Sequence, residues 1–297
     1  MNSKEDGWLL FDKPIGMSSA KAVAVLKKRF GFRKIGHCGT LDPFASGLLI
    51  VGFGQATKLM CFAVKKDKEY VFTVDWSYGT DTLDNTGTRN SNIAGSVPSL
   101  DEIQSAIAEI GCGEMGQIPP SYSAISINGQ RAYRLARSGV HVEMKERIVK
   151  LYELRILEHE GCRTVFRLRC GSGFYVRSLA RDIGAIIGYP SHVCQLKRVT
   201  IGDFDLSNAL TEDDIFTPNH NNFLSSYFLS CVSMVDEAIR LKVDDGVAAL
   251  LKLGRVVNLP VGCCTSSRVL VVSESEDVPV AICELTHCLL KPVRGFV

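Results

Sequence analysis

The sequence predicts an α+β fold with a mixed, largely antiparallel sheet and flanking helices, and three observations lead there. Apolar and polar residues alternate from Tyr70 to Val74 and from Thr164 to Cys170, the two-residue period of half-buried strands. Strand signals come in adjacent hairpin-like pairs, as at Ile148 to Leu157 and Thr164 to Cys170, more than in repeated βαβ units. At 297 residues, 46% hydrophobic and 22% charged, the chain has room for one large domain and one small one.

In chain order, Gly7 to Phe11 reads as a strand, followed by a loop with Lys13 and Pro14. A helix capped by Ser18 or Ser19 comes next, with Ala22, Val23, Leu26 and Phe30 on its apolar face. Its basic end, Lys27, Lys28, Arg29, Arg33 and Lys34, suits a helix C-terminus and equally suits phosphate. The apolar run Leu48 to Val51 leads through Gly52 and Gly54 to Ala56, Thr57 and Lys58, as strand, turn and helix start. A loop rich in Thr, Asp, Asn and Gly from Tyr78 to Pro98 precedes a helix near Leu100 to Ile110. Asp81 and Asp84 in that loop lack the ligand series and terminal Glu of a calcium loop, so metal binding is not expected there.

Beyond Pro119 and Pro120, the stretch Gln130 to Ser138 predicts a short helix ended by Gly139. It sets Arg131, Arg134 and Arg137 beside Tyr122 and Tyr133, the mix of charge and stacking surface that RNA-binding loops use. From Thr164 to Cys170, Phe166, Leu168 and Cys170 point one way, while Val165, Arg167 and Arg169 point the other. Gly171 and Gly173 then turn the chain into a helix that carries Arg177 and Arg181 four residues apart on one face. Thr211 to Asn222 reads as a polar linker, and Ser233 to Val297 as a small β-rich domain.

The net charge of +2 hides an asymmetry. Ser121 to Thr200 holds 14 basic and 6 acidic residues, whereas Ile201 onward holds 7 and 13. A basic middle is the footprint expected for nucleic acid or another polyanion; the alternative is a solvated surface balanced by the acidic tail. Eleven cysteines with no CxxC pair and no zinc-ligand spacing read as reduced, mostly buried thiols, Cys263 and Cys264 among them as small apolar residues in a strand or turn. No sustained apolar run approaches the ~20 residues of a membrane span and the N-terminus lacks a signal-like pattern, which together predict a cytoplasmic protein without a membrane partner.

The run HCGTLDPFASGLL, from His37 to Leu49, places a single carboxylate, Asp42, in a short glycine-flanked turn ahead of an apolar segment. Gly36 and Gly39 can take backbone angles that other residues avoid, and Pro43 biases Asp42 toward an extended conformation. Two readings follow. Asp42 is held up for chemistry, or it is an Asx-turn residue bonding its own backbone.

Several motifs in a fixed order bear on that choice: KP at Lys13 and Pro14, the Asp42 run, GQATK ending at Lys58, KEY ending at Tyr70, and GTDTLDNTG from Gly79. PPSYSAISINGQRAYRLAR from Pro119, GFYVRSLARDIG from Gly173 and LKR at Leu196 to Arg198 complete the set. In these motifs the chain resembles the bacterial tRNA pseudouridine-55 synthase family (TruB). The resemblance implies a pseudouridine-synthase-like catalytic domain over 1–231, an RNA-gripping insertion over about 118–147, and a small PUA-like domain over 232–297.

The implied activity is cofactor-free isomerisation of one uridine in the T-arm of tRNA after the base is flipped out, with no metal and no obligate protein partner. Residue by residue, the resemblance makes Asp42 the catalytic carboxylate, Arg177 its ion-pair partner, and Tyr70 a stacking and proton-transfer residue. Tyr175 and Leu196 line the base pocket, and His37 contacts RNA near the extruded nucleotide. Lys13, Lys58, Asp84, Arg131 and Arg134 fall among the implied RNA contacts. Ser126 stands where the family pattern has lysine, and the acidic tail is a second departure. Other readings are a tRNA-binding or folding module without catalysis, a guide-RNA-dependent member of the superfamily, and a glycosidase-like hydrolase, which would need a second carboxylate near Asp42.

Overall fold

Two strongly apolar strands are nearly inaccessible along their length and lie side by side: β1 (Gly7–Lys13) pairs antiparallel with β3 (Ser46–Phe53). A short β2 (Ile35–Cys38) adds to β3, and β4 (Lys68–Asp75) lies two strands away. The computed structural model describes residues 6–92, 96–140, 142–216, 225–259 and 266–296. Two hairpins, β5 (Tyr78–Thr80) with β6 (Arg89–Asn92) and β8 (Ser126–Ile127) with β9 (Gln130–Arg131), stand off the main sheet; β7 (Gly113–Gln117) forms one of its edges. The second hairpin turns on Asn128 and Gly129, both at positive φ, the sequence pair such a turn favours.

The sheet is completed by β10 (Arg147–Glu160), β11 (Arg163–Cys170), β12 (His192–Ile201), β13 (Phe204–Asp205) and β14 (Phe228–Leu229). Its order is β14-β1-β3-β12-β4-β11-β10-β7, with β2 on β3 and β13 on β12. Pairing is antiparallel except for one short parallel contact, Ser46 and Gly47 of β3 with Lys197 and Arg198 of β12. A mixed α+β architecture with a mostly antiparallel sheet is therefore what the chain forms, as the alternating segments predict.

That parallel contact positions the site. Gly47 has φ of 103°, and a Cβ there would stand 2.2 Å from the Arg198 carbonyl oxygen, so only glycine allows the approach. Arg198 in turn pairs with Tyr70 of β4, and Tyr70 with Leu168 of β11. One row across the sheet thus brings the turn before β3 against the centre of β4.

Helices cover the sheet. Among the described residues the helices are α1 (Ser19–Phe30), α2 (Met60–Ala63), α3 (Leu100–Ile110), α4 (Ala132–Arg137), α5 (Val176–Ile187) and α6 (Glu212–Phe216), with α7 (Asp245–Lys252) lying on the second sheet. Ser18 caps α1 by accepting from the Lys21 N–H, Gly31 ends it in the left-handed region, and Ser99 with Glu102 forms a capping box on α3. Phe72, Trp76 and Phe166 pack with Ile103 of α3 and Leu179 and Ile183 of α5. Leu9, Phe11, Leu49 and Val51 pack with Ala22 and Leu26 of α1.

A second sheet, in the order β15-β17-β18-β19-β16, uses β15 (Arg240–Val243), β16 (Val257–Asn258), β17 (Ser266–Ser273), β18 (Pro279–Thr286) and β19 (Leu289–Gly295), with α7 against it. It shares an apolar cluster with the first sheet: Trp8, Leu48 and Met234 meet Leu270, Ile282 and Phe296.

Several local expectations need correction. β1 runs on to Lys13, because that side chain is buried rather than solvated. Gly36 lies inside β2 rather than in a turn, where an added Cβ would stand 2.8 Å from the Met60 methyl carbon. The short helix begins at Ala132, since Gln130 and Arg131 pair in β9. The Thr211 to Asn222 stretch contains α6, started by Thr211 and Asp214 bonding each other's backbone N–H groups. Its residues 217–222, like Cys263 and Cys264, lie outside the described residues.

Candidate active site

The segment from Gly39 to Ala45 is fixed at every corner. Gly39 sits at φ of 70°, and its carbonyl accepts from the Arg198 guanidinium at 2.9 Å. The buried Ser19 hydroxyl accepts from the Leu41 N–H and lies equally close, 2.9 Å, to the Leu41 carbonyl. Gly16 N–H donates to the Pro43 carbonyl at 2.7 Å, and the Lys13 ammonium reaches the carbonyls of Pro14, Met17 and Ala45. A turn so tied cannot relax when its charged residue is desolvated.

The Asp42 carboxylate at its crest bonds the Arg177 guanidinium, Oδ2 to Nη2, at 2.8 Å. It does not fold back on its own turn, so the Asx-turn reading fails for the side chain. Arg177, in the first turn of α5, is 4% exposed. It also donates to the carbonyls of Thr82 and Tyr122 at 2.8 and 2.9 Å, and pairs with Asp84 at 3.1 Å. Burial pushes the Asp42 carboxyl above the usual carboxylate range, with Arg177 pulling the other way, Asp84 adding to the rise and Lys13 opposing it.

Two cavities meet at this ion pair. One, of about 420 Å³, is lined by Lys68, Tyr70, Tyr175, Leu196 and Arg198; the other, of about 490 Å³, by His37, Asp84, Tyr122, Tyr133 and Arg137. Asp42, Arg177, Thr40, Leu41, Ser123 and Ala124 line both. The structure therefore brings together Asp42, Arg177, Tyr70, Tyr175 and Leu196, and sets His37 on the second side of the same carboxylate. Burial raises the Tyr70 and Tyr175 hydroxyls above the ordinary tyrosine range, opposed by Arg198 at the first and by Ser123 at the second. His37 is pushed down by burial and by Arg198, which keeps its imidazole neutral, and its Nδ1 is buried without a partner among the described residues.

Two of the sequence-based RNA contacts, Lys13 and Asp84, are corrected by these positions, while Lys58 is partly engaged within the protein. Lys13 has no exposed surface, and three carbonyls occupy its three donors, so it props the Asp42 turn and has nothing left for a phosphate. Asp84 is 4% exposed, and its carboxylate takes Arg177 together with Thr82 and the backbone and side chain of Thr86. It is the second carboxylate near Asp42 that the motif neighbours did not suggest. Its oxygens are taken up by Arg177, Thr82 and Thr86, so it is not placed to reach a glycosidic oxygen as the general acid of a glycosidase would. The Lys58 ammonium bonds the Gly295 carbonyl at 2.7 Å and lies over the Phe296 ring, tying the two sheets together. Arg131 and Arg134 are exposed, Arg131 bracing the Ala124 carbonyl at 2.6 Å.

Sequence reasoning passed over Arg198 and Lys68, both deeply buried on the wall of the first cavity. The signal was available: each lies two residues from an assigned pocket residue on its strand, Lys68 from Tyr70 and Arg198 from Leu196, and so shares its face.

Comparison with known proteins bears on what this arrangement does. The family profile described as "TruB family pseudouridylate synthase (N terminal domain)" matches residues 27–176. The chain is 37% identical over 298 residues to the "tRNA pseudouridine synthase B" of Ehrlichia ruminantium (strain Gardel), covering 98% of this chain and 99% of the relative. It is 36% identical over 305 residues to the protein of the same name from Caulobacter vibrioides (strain ATCC 19089 / CIP 103742 / CB 15), covering 98% and 96%. Among solved structures, one chain of a Cbf5-Nop10-Gar1 complex superposes with a TM-score of 0.76 at 24% identity, covering 99% of this chain and 86% of that one. At that identity the likeness speaks for the fold alone.

Proposed function

The chain belongs to the TruB family of pseudouridylate synthases, and from that premise we propose that it converts uridine 55 in the T-arm of tRNA to pseudouridine without a cofactor. It is an isomerase: the glycosidic C1′–N1 bond breaks, the uracil turns within the protein, and C1′ rejoins through C5. The observation that carries the reading is the Asp42–Arg177 ion pair, 2.8 Å long, at the junction of two cavities.

In this reading Asp42 acts on a flipped nucleotide by attacking C1′ of its ribose, adding to its base or removing a sugar proton. Arg177 keeps it ionised and aimed, as a buried opposite charge does. Tyr70 stacks on the base, Tyr175 and Leu196 close the pocket around it, and the desolvated cavity keeps water from the intermediate. Neutral His37 meets the RNA on the second side, with Tyr133 and Arg137 beside it. The exposed Arg131, Arg134 and Arg137 on the 118–147 insertion provide phosphate contacts that offset the cost of flipping, a few kcal/mol. Residues 1–231 carry the reaction, and 232–297 form a PUA-like unit joined to them through the shared apolar cluster.

Mass-spectrometric mapping of tRNA incubated with the pure protein tests this. One new pseudouridine at position 55 is expected. Modification elsewhere only, or none, would overturn the assignment.

A further inference from the structure

Two buried cations on the wall of the first cavity take no part in the chemistry described above. Lys68 and Tyr70 lie two residues apart on β4 and share a sheet face, with Arg198 of β12 paired to Tyr70. Lys68 is 7% exposed and Arg198 1%. Neither has a carboxylate within 4.0 Å among the described residues. Arg198 donates to the Leu48 and Gly39 carbonyls, and its charge and hydrogen bonding act on the Tyr70 hydroxyl. Lys68 donates to the carbonyls of Val64, at 2.6 Å, and Lys66. Its third N–H has no protein partner among the described residues, and the residue lines the cavity. A buried ammonium with an unspent donor is costly unless something else completes it.

We propose that Lys68 is a catalytic residue: its third N–H donates to a carbonyl oxygen, O2 or O4, of the detached uracil, and with Arg198 it stabilises the negative charge on that base. The inference rests on the isomerase reading and deepens it. When C1′–N1 breaks, the bonding pair stays with the uracil and spreads from N1 onto O2 and O4. When C1′–C5 forms, that pair makes the new bond as Asp42 releases the carbon or returns the sugar proton it had taken; C5 then gives up its proton, and N1 gains one. The charge is transient and borne by the base, so a fixed cation here favours the broken state over the intact nucleotide. Asp42 and Arg177 form a paired unit at the sugar. The Lys68 and Arg198 wall leaves net positive charge for the base.

The charged and titratable groups around Lys68 are Arg198, Asp67, Cys38, Cys170 and the hydroxyl of Tyr70. Asp67 is engaged with Tyr152 and Arg169. Both thiols are held protonated by burial, at about 12, and burial together with Arg198 lowers the Lys68 ammonium to about 8. The charged form that the base needs is therefore lost as pH rises through about 8.

Single-turnover tritium release from a T-arm stem-loop carrying 5-tritiated uridine, followed from pH 6.5 to 9.5 with RNA affinity measured in parallel, tests this. Lys68→Met is expected to slow release about 100-fold while RNA affinity changes less than about threefold. Lys68→Arg keeps the charge, restores most of the rate and carries the alkaline fall above about pH 9. A wild-type rate in Lys68→Met, or a loss confined to RNA affinity, would overturn the proposal. Should Lys68→Met not fold, Lys68→Arg decides, because an alkaline limb unmoved from wild type contradicts the role; Lys13, also lowered to about 8, would then account for it. If the wild type releases no tritium, the isomerase reading falls and takes this with it, whereas full activity in Lys68→Met sinks only the present inference.

Discussion

Arg177 holds Asp42 at 2.8 Å with one nitrogen and Asp84 at 3.1 Å with the other, while its remaining contacts are carbonyls of two separate loops. One buried guanidinium thus balances two carboxylates and ties the Asp42 turn, the Thr82–Asp84 loop and the Tyr122 segment to the start of α5. Removing it leaves the buried Asp84 and the half-buried Asp42 carboxylates without a counter-charge. Arg177→Met is expected to cost about 3–5 kcal/mol of stability, measured by urea unfolding, and to abolish turnover. Arg177→Lys cannot span both acids, and recovers folding better than activity.

Asp84 raises the Asp42 carboxyl by like-charge repulsion, on top of the rise from burial. The reaction needs ionised Asp42, so activity falls as pH drops through a value above that of an ordinary aspartate. Asp84→Asn removes the repulsion, and the acid limb of the rate profile is expected to move to lower pH. A limb unmoved in that variant would show that another group governs it.

The buried Lys13 and the exposed arginines of the insertion have opposite expected signatures. Lys13→Met strips three carbonyls of their donor and should destabilise the fold by about 2–4 kcal/mol, with no change in the salt dependence of RNA binding. Arg131→Ala and Arg134→Ala should leave stability nearly unchanged while lowering the slope of log affinity against log salt by about 0.7–0.9 for each phosphate no longer neutralised.

Gly47 permits the parallel contact between β3 and β12. Gly47→Ala would force a Cβ into the Arg198 carbonyl, 2.2 Å away, from a left-handed backbone. The expected outcome is a loss of more than about 2 kcal/mol in stability, and with it the alignment of Asp42 against Tyr70.

Much of this molecule is legible in its sequence. The alternation at β4 and β11, the Ser99 capping box and the glycine stop of α1 are local signals, set by neighbours a few residues apart. The ordered motifs name Asp42, Tyr70, Tyr175, Arg177 and Leu196, which the fold gathers at one ion pair. What stays hidden depends on long-range burial. Lys13 and Asp84 read as solvent-facing charges because nothing nearby in sequence shows the three carbonyls around one or the guanidinium on the other. Lys68 and Arg198 look like polar members of basic strands until the sheet register places them beside Tyr70.

The most direct test of the account is tritium release from tRNA carrying 5-tritiated uridine, comparing wild type with Asp42→Asn, which keeps the shape of the side chain and removes its charge. The wild type should release tritium, and Asp42→Asn should lose at least about 1,000-fold in rate while binding tRNA within a few-fold of normal. Full release by Asp42→Asn would contradict the assignment of the chemistry to that carboxylate.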